Sequence, residues 1–124
     1  MTKNNRDDFN QCAALVLELL YKEFPMETDI VVDDWLADPF DEDMTDNYFA
    51  TIRFLQRESF IRYQEFDFGT FRSVVLTAKG LKVLDTIPDK AEETIAQQIS
   101  NALQDDSKKA VGSVIRELIK VAVV

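Results

Sequence analysis

The fold is decided by residues 48–84, whose sequence is YFATIRFLQRESFIRYQEFDFGTFRSVVLTAKGLKVL. The first part places large apolar side chains at positions i, i+1, i+4 and i+7, the spacing of one buried face of an α-helix. We therefore predict a helix over residues 45–58, with Thr45 or Asp46 as its N-cap. The predicted buried stripe of this helix consists of Tyr48, Phe49, Ile52 and Leu55.

The remainder of this stretch predicts a β-hairpin followed by a short helix. Residues 59–66 and 71–77 are rich in β-branched and aromatic side chains, and Gly69 marks the turn between them. Thr77 has the side chain of an N-cap, so a helix is predicted over residues 78–87. A helix, a hairpin and a second helix therefore follow one another without a long linker.

The residues that precede this stretch add two helical segments and a strand. Residues 7–24 carry apolar side chains at helical spacing, and Asp7 or Asp8 is the predicted N-cap. The β-branched run at 28–32 predicts a short strand. After it, an Asp-capped segment of one or two helical turns is predicted around Trp35.

Two further helices are predicted at the C-terminal end, at residues 89–104, with Pro88 in the first turn, and at residues 108–123. The last helix is more apolar than the surface helix of a monomer requires. Its apolar stripe predicts either a dimer interface or a helix docked on the preceding domain, and we favour the dimer. The chain is thus divided into a domain at 1–87 and a helical pair at 88–124, through which a homodimer is expected.

This order of elements resembles the winged helix-turn-helix superfamily over about residues 9–87. The specific features are the helix that leads into the hairpin and the exit LTAKGLKVL at 76–84, whose Leu-Thr-x-Lys-Gly step is similar to that of bacterial regulators of the MarR and PadR type. The resemblance implies a mainly α (α+β) fold, a winged helix-turn-helix with a two-stranded wing, completed by the C-terminal helical pair. It also implies a regulatory protein of bacterial or phage type.

In such regulators the helix that corresponds to residues 45–58 enters the major groove of DNA, and the loop that corresponds to 67–70 touches the minor groove or the phosphate backbone. The resemblance therefore implies a set of DNA-contacting side chains, with the arginines reading guanine edges or holding phosphates. These residues are Asn47, Thr51, Arg53, Arg57, Arg62 and Arg72. A dimeric transcriptional regulator is accordingly one expected function.

Negative charge is concentrated immediately before this predicted DNA-reading helix. Residues 29–46 hold eight acidic side chains and no Lys or Arg, in a chain whose net charge is −9. We call residues 33–46 the acidic segment, and its seven carboxylates are Asp33, Asp34, Asp38, Asp41, Glu42, Asp43 and Asp46. Carboxylates within about 10 Å of a duplex repel its phosphates at moderate salt. Helix capping explains some of these residues, but seven exceed what capping requires.

The same charge distribution favours a protein partner over DNA. Aromatic side chains beside an acidic rim are typical of protein interfaces, and an acidic surface attracts a partner with a basic surface. A narrower version of this hypothesis is a surface that imitates DNA and occupies a nucleic-acid-binding protein. The predicted partner-binding residues are Asp38, Asp41, Glu42, Asp43, Phe54 and Phe68.

Other functional classes lack the side chains that they need. The chain has no histidine, no glycine-rich phosphate loop and a single cysteine, Cys12, which is expected to be a small buried hydrophobe. The acidic segment lacks the spacing and the central glycine of a calcium loop. We therefore expect a protein without catalytic residues, bound metal or cofactor. No signal peptide or membrane-spanning run is recognised, which predicts a cytoplasmic location.

Overall fold

A computed structural model describes residues 4–67 and 69–123 of the chain, except the side chains of residues 66 and 67. Over these residues the fold is mainly helical and of the α+β class, as predicted, with five α-helices and one three-stranded antiparallel sheet. In chain order the elements are α1 (Asn5–Glu23), β1 (Thr28–Val31), α2 (Glu42–Arg57), β2 (Ile61–Asp67), β3 (Thr70–Leu76), α3 (Ala78–Leu84), α4 (Ile95–Gln104) and α5 (Lys108–Ala122).

Helix α1 begins two residues earlier than the sequence pattern predicts. Its N-cap is Asn4, whose side chain accepts hydrogen bonds of 3.1 Å from the backbone N–H groups of Arg6 and Asp7. The prediction of Asp7 or Asp8 as the cap is therefore wrong. Both aspartates lie in the first turn of the helix, where their charge complements the positive end of the helix dipole.

The middle of α1 is the packing centre of the fold. The small side chains of Cys12, Ala13 and Ala14 are buried there, and helices α2, α4 and α5 and strand β3 all pack against α1. Small side chains let neighbouring helices approach closely, because the distance between helix axes depends on the side chains at the contact.

Helix α2 begins three residues earlier than predicted. Its N-cap is Asp41, which accepts a hydrogen bond of 3.1 Å from the backbone N–H of Met44. The predicted caps, Thr45 and Asp46, therefore lie inside the helix, because Asp41 offers a suitable side chain one turn before them. The whole predicted apolar stripe of this helix is buried: Tyr48, Phe49, Ile52 and Leu55.

A single 3-10 turn at Val32–Trp35 connects β1 towards α2, where Asp-capped helical turns were predicted. No side chain caps this turn, so the prediction of an Asp cap is wrong, and Asp33 and Asp34 are exposed within it. The turn is held instead by Val32, whose side chain is buried and whose backbone N–H donates to the carbonyl oxygen of Gly69 at 3.1 Å.

The sheet has the strand order β1-β3-β2, and both pairs of neighbours are antiparallel. Strands β2 and β3 form the predicted hairpin, and Gly69 in the turn has a φ of 91°, a value that favours glycine. The predicted strand at 28–32 is confirmed as β1, which pairs with β3. Strand β3 enters the core through Phe71 and Val74, which are fully buried.

Thr77 and Gly80 fasten the start of α3 to the start of the hairpin. The Thr77 backbone N–H donates to the carbonyl oxygen of Phe60 at 3.0 Å, and the Thr77 hydroxyl accepts from the Gly80 N–H at 3.0 Å. Thr77 is thus the cap that the sequence predicts, although α3 ends at Leu84 and not at 87. A Cβ atom at Gly80 would lie 2.2 Å from the backbone oxygen of Phe60. The last position of the Leu-Thr-x-Lys-Gly step therefore requires glycine here for steric reasons.

Helix α4 is shorter than predicted. Residues 88–94 are not helical, and the N-cap of α4 is Thr94, whose side chain accepts from the Gln97 N–H at 3.1 Å. The prediction of a helix that starts around Pro88 is therefore wrong. The chain turns at Pro88, whose carbonyl oxygen accepts from the Ala91 N–H, and the Ile95 N–H then donates to the Thr86 oxygen at 2.9 Å.

The C-terminal helices pack inside the chain. Helix α5 packs against α4 and α1, and the apolar stripe of α5 belongs to the same buried cluster as the core of α1 and the sheet. The buried members of this stripe are Val111, Val114, Ile115 and Leu118. The docked arrangement therefore describes α5 within one chain, and a homodimer through 88–124 stays a prediction.

We expect Gly80→Ala to lower the free energy of unfolding by about 1–3 kcal/mol, because the added methyl group collides with backbone and the two elements must separate. Urea denaturation followed by circular dichroism measures this change. The control is Gly112→Ala, whose methyl group would meet the end of the Asn10 side chain at 3.3 Å and which gains helix propensity. Equal destabilisation by the two substitutions would contradict a close contact between Gly80 and the backbone of Phe60.

Candidate protein-interaction surface

The face of α2 that is directed away from the core borders an apolar groove of about 620 Å³. We call it the α2 groove. Helix α1 forms one of its sides near the N-terminus of the chain, and α5 contributes near its C-terminal end. Its lining includes Arg6, Phe9, Asn47, Ala50, Phe54 and Ile119.

Two of the residues predicted to contact DNA are held by contacts within the protein. Thr51 is only 2% exposed, and its hydroxyl donates to the side-chain oxygen of Asn47 at 3.2 Å. The Asn47 amide in turn donates to the backbone oxygen of Asn5 at 3.0 Å. Thr51 therefore does not offer its side chain on the outer face of α2, as a DNA contact would require, because the start of α1 lies against this side of the helix.

Arg53, a third predicted DNA contact, is paired with Glu65 of β2. Its Nε donates to Glu65 Oε2 at 3.3 Å, its Nη2 donates to Oε1, and its guanidinium lies 5.7 Å from the centre of the Phe49 ring. The hydrogen bonds raise the pKa of Arg53 and lower the pKa of Glu65. Arg53 is thus oriented towards the hairpin, and a phosphate would have to compete with a carboxylate for it.

The other predicted DNA contacts are spread over α2 and two strands. Arg57 is exposed at the C-terminal end of α2, and Arg62 is exposed on β2. Arg72 of β3 lies 3.9 Å from Asp29. Among the side chains that the structure describes, no ion pair is found for Arg57 or Arg62. Cations for phosphate contacts are therefore few on this side of the molecule.

All seven carboxylates of the acidic segment are exposed to solvent. In the middle of the segment, residues 38–41 form a turn in which the Asp41 N–H donates to the Asp38 backbone oxygen at 3.0 Å. The Asp38 side chain accepts from the Phe40 N–H at 2.9 Å, and Pro39 occupies the second position of the turn. This geometry places Phe40 at the tip of the turn with 89% of its surface exposed.

Phe40 is a candidate binding residue that the sequence-based prediction missed. Its apolar ring is exposed between Asp38 and Asp41, whereas Trp35 in the same segment packs against the core. A signal was present in the sequence, because an Asp-Pro pair favours a turn and an aromatic residue after it has no helical or strand partner. Hydropathy alone could not separate the exposed Phe40 from the partly buried Trp35.

The predicted partner-binding residues are brought together only in part. Asp38, Asp41, Glu42 and Asp43 cluster at the N-terminal end of α2. Phe54 lies eleven residues after Asp43 on α2, which is about 16 Å along the helix axis. It is 39% exposed in the α2 groove and packs edge-on against the Phe9 ring at 5.5 Å. The sixth predicted residue, Phe68, lies outside the described residues.

Cys12 is buried, as expected from the sequence, and its thiol donates to the backbone oxygen of Tyr48 at 3.9 Å. Burial raises the pKa of the thiol, because the thiolate would be desolvated. Among the described residues there is no group of three or more acidic or cysteine side chains placed to hold a metal ion. No helix in the described part of the chain is both long and apolar enough to cross a membrane.

Comparisons of the chain with protein-family models, with curated proteins and with solved structures gave no match.

The burial of Cys12 predicts low thiol reactivity. In the native protein we expect Cys12 to react with Ellman's reagent at least about a hundredfold more slowly than in urea, because reaction requires local opening of the α1–α2 contact. The absorbance of the released thiolate at pH 8 measures both rates. Similar rates in the native and the unfolded protein would show that α1 and α2 do not enclose this side chain.

Proposed function

We propose that this protein is a non-enzymatic regulatory or interaction protein that binds a protein partner with a basic surface. One observation carries this proposal: the carboxylates of the acidic segment are exposed, and Phe40 is exposed among them at the tip of the turn at 38–41. An aromatic ring of this kind can enter an apolar pocket of a partner, while the surrounding carboxylates pair with lysines and arginines at its rim.

Local structure uses only part of the acidic segment. Asp41 caps α2, Asp38 fixes the turn, and Glu42 and Asp43 lie in the first turn of α2, where they interact favourably with the helix dipole. Asp33 and Asp34 lie in an uncapped 3-10 turn and are exposed. Carboxylates that repel one another without a structural role favour a function in recognition, because they speed encounter with a basic partner.

A fluorescein-labelled amphipathic peptide rich in Lys and Leu is a suitable probe for this surface, with binding measured by fluorescence anisotropy. We expect at least tenfold weaker binding when four carboxylates of the segment are neutralised. The changes are Asp34→Asn, Asp38→Asn, Asp41→Asn and Glu42→Gln. Asparagine keeps the hydrogen bonds of the turn and the cap, so the fold is expected to be preserved.

The matched control neutralises four exposed carboxylates elsewhere, giving the same net charge. These changes are Glu27→Gln, Asp89→Asn, Glu92→Gln and Asp105→Asn. We expect less than a twofold change for the control, and severalfold weaker binding for Phe40→Ala, which leaves the charge unaltered. Equal losses in the two neutralised proteins, with no effect of Phe40→Ala, would indicate attraction by net charge alone and would refute the proposal.

DNA binding by a winged helix-turn-helix is the second candidate function, and the order of elements favours it. The hairpin β2–β3 directly follows α2, and β1 pairs with β3, as expected if α2 is the recognition helix and the hairpin is the wing. We propose this scaffold type for residues up to α3. A 3-10 turn occupies the place of the helix that would precede the recognition helix. The charges at α2 make DNA the less favoured ligand.

Anisotropy of a labelled random-sequence duplex at about 50 mM salt separates the two candidates. We expect no binding by the wild-type protein. If DNA is the ligand, the affinity falls steeply with salt, and Arg53→Ala with Arg57→Ala abolishes it. Glu65→Gln would then strengthen binding, because it releases Arg53 from its carboxylate partner. Salt-sensitive binding that responds to these changes would replace the protein-partner proposal.

A further inference from the structure

One stripe of α2 carries opposite charges at equal distances from its central residue. Its members follow one another at spacings of four, three, four and three residues, which keeps them on a single helical face. They are Asp43, Asn47, Ala50, Phe54 and Arg57. Asp43 precedes Ala50 by seven residues and Arg57 follows it by seven, so each charge lies about 10 Å from the centre along the axis.

This spacing makes the stripe complementary to itself. If a second copy of α2 packs antiparallel across Ala50, Asp43 of each copy faces Arg57 of the other at both ends of the contact. Asp46, also exposed and nearly one turn further along α2, lies within reach of the same arginine. A two-fold axis produces both ion pairs at once, as in other isologous interfaces.

The middle of the stripe suits a close helix contact. Ala50 is exposed and small, so two helices can approach there at the short end of the usual range of about 8–10 Å. Beside it lies the apolar α2 groove, in which Phe54 is 39% exposed and rests on Phe9. Phe54 of one copy would cover apolar surface in the groove of the other, and burial of an aromatic side chain supplies the largest share of such a contact.

The apolar stripe of α5 is already buried against α1 and α4, so it offers little surface to a second chain. Ile119 of α5, however, lines the α2 groove and is only partly buried. We propose that the α2 groove is an interface with a second copy of this chain, formed by antiparallel pairing of α2 about a two-fold axis near Ala50. The dimer is held by apolar contacts of Phe54 and by two symmetric pairs between Asp43 and Arg57.

This inference goes beyond the proposed function, and of the acidic segment it uses only Asp43 and Asp46. The turn with Phe40 and the carboxylates at 33–42 lie before the paired region of α2, so this part of the acidic segment remains exposed in both copies, once at each end of the interface. A homodimer with this geometry therefore presents two equivalent sites to a basic partner and doubles its valency.

Sedimentation velocity over protein concentrations from about 1 μM to 1 mM tests the interface. The wild-type protein is expected to show a monomer–dimer equilibrium that weakens as salt is raised, because the end contacts are ion pairs. Arg57→Glu, and separately Asp43→Arg with Asp46→Arg, place like charges at both ends and are expected to weaken dimerisation at least tenfold. The control Lys109→Glu reverses an exposed charge at the start of α5 and should leave dimerisation unchanged.

Mixing the two charge-reversed proteins provides the decisive measurement. In a mixed dimer, the glutamate introduced at position 57 of one variant meets the arginines introduced at positions 43 and 46 of the other. At the opposite end the unchanged Asp43 meets the unchanged Arg57, so both ends attract again. We expect the mixture to dimerise at concentrations at which each variant alone is monomeric, which also shows that both variants are folded. A monomeric wild type throughout the range, a dimer insensitive to Arg57→Glu, or a mixture that stays monomeric would each overturn the proposal.

Discussion

The packing of several elements against the small residues of α1 is the constraint on which the rest of the structure depends. Cys12, Ala13 and Ala14 leave room for α2, α4 and α5 to approach the same helix. Because the apolar stripe of α5 is buried against α1, the C-terminal helices form one core with the sheet. Helix α2, in contrast, has only one face buried, and its other side remains exposed.

The same constraint changes the chemistry of α2. Its first half and the start of α1 are joined by the hydrogen bond between Asn47 and Asn5, so the N-terminal part of α1 covers this side of α2. The side chain of Thr51 is buried, and the ring of Phe9 packs against the ring of Phe54. On the other flank the hairpin holds Arg53 through Glu65. The exposed side of α2 thus carries carboxylates and apolar groups beside Arg57.

Periodicity predicted the buried side of the fold well, because each inward stripe is a local property of the sequence. The stripe from Tyr48 to Leu55, the hairpin around Gly69 and the cap at Thr77 all follow from short-range patterns. The exact starts of the helices could not be predicted in this way, because Asn4, Asp41 and Thr94 compete as N-caps with neighbouring residues of similar intrinsic preference. The burial of Thr51 was not predictable either, since it depends on a contact with α1, which is distant in the sequence.

The charges of α2 serve the helix and its surface through one physical arrangement. Acidic side chains at the N-terminal end and Arg57 in the last turn each complement the helix dipole. Any helix with this polarity is attracted to an antiparallel copy of itself, so such attraction alone specifies no register. Specificity requires a position that only one register satisfies, and in the proposed dimer Ala50 supplies it. A shift of one turn would separate Asp43 from Arg57 and would set Ala50 against Phe54 or Asp46 in place of the second Ala50. In the proposed dimer, the charges that stabilise α2 within the chain therefore also determine how two chains meet.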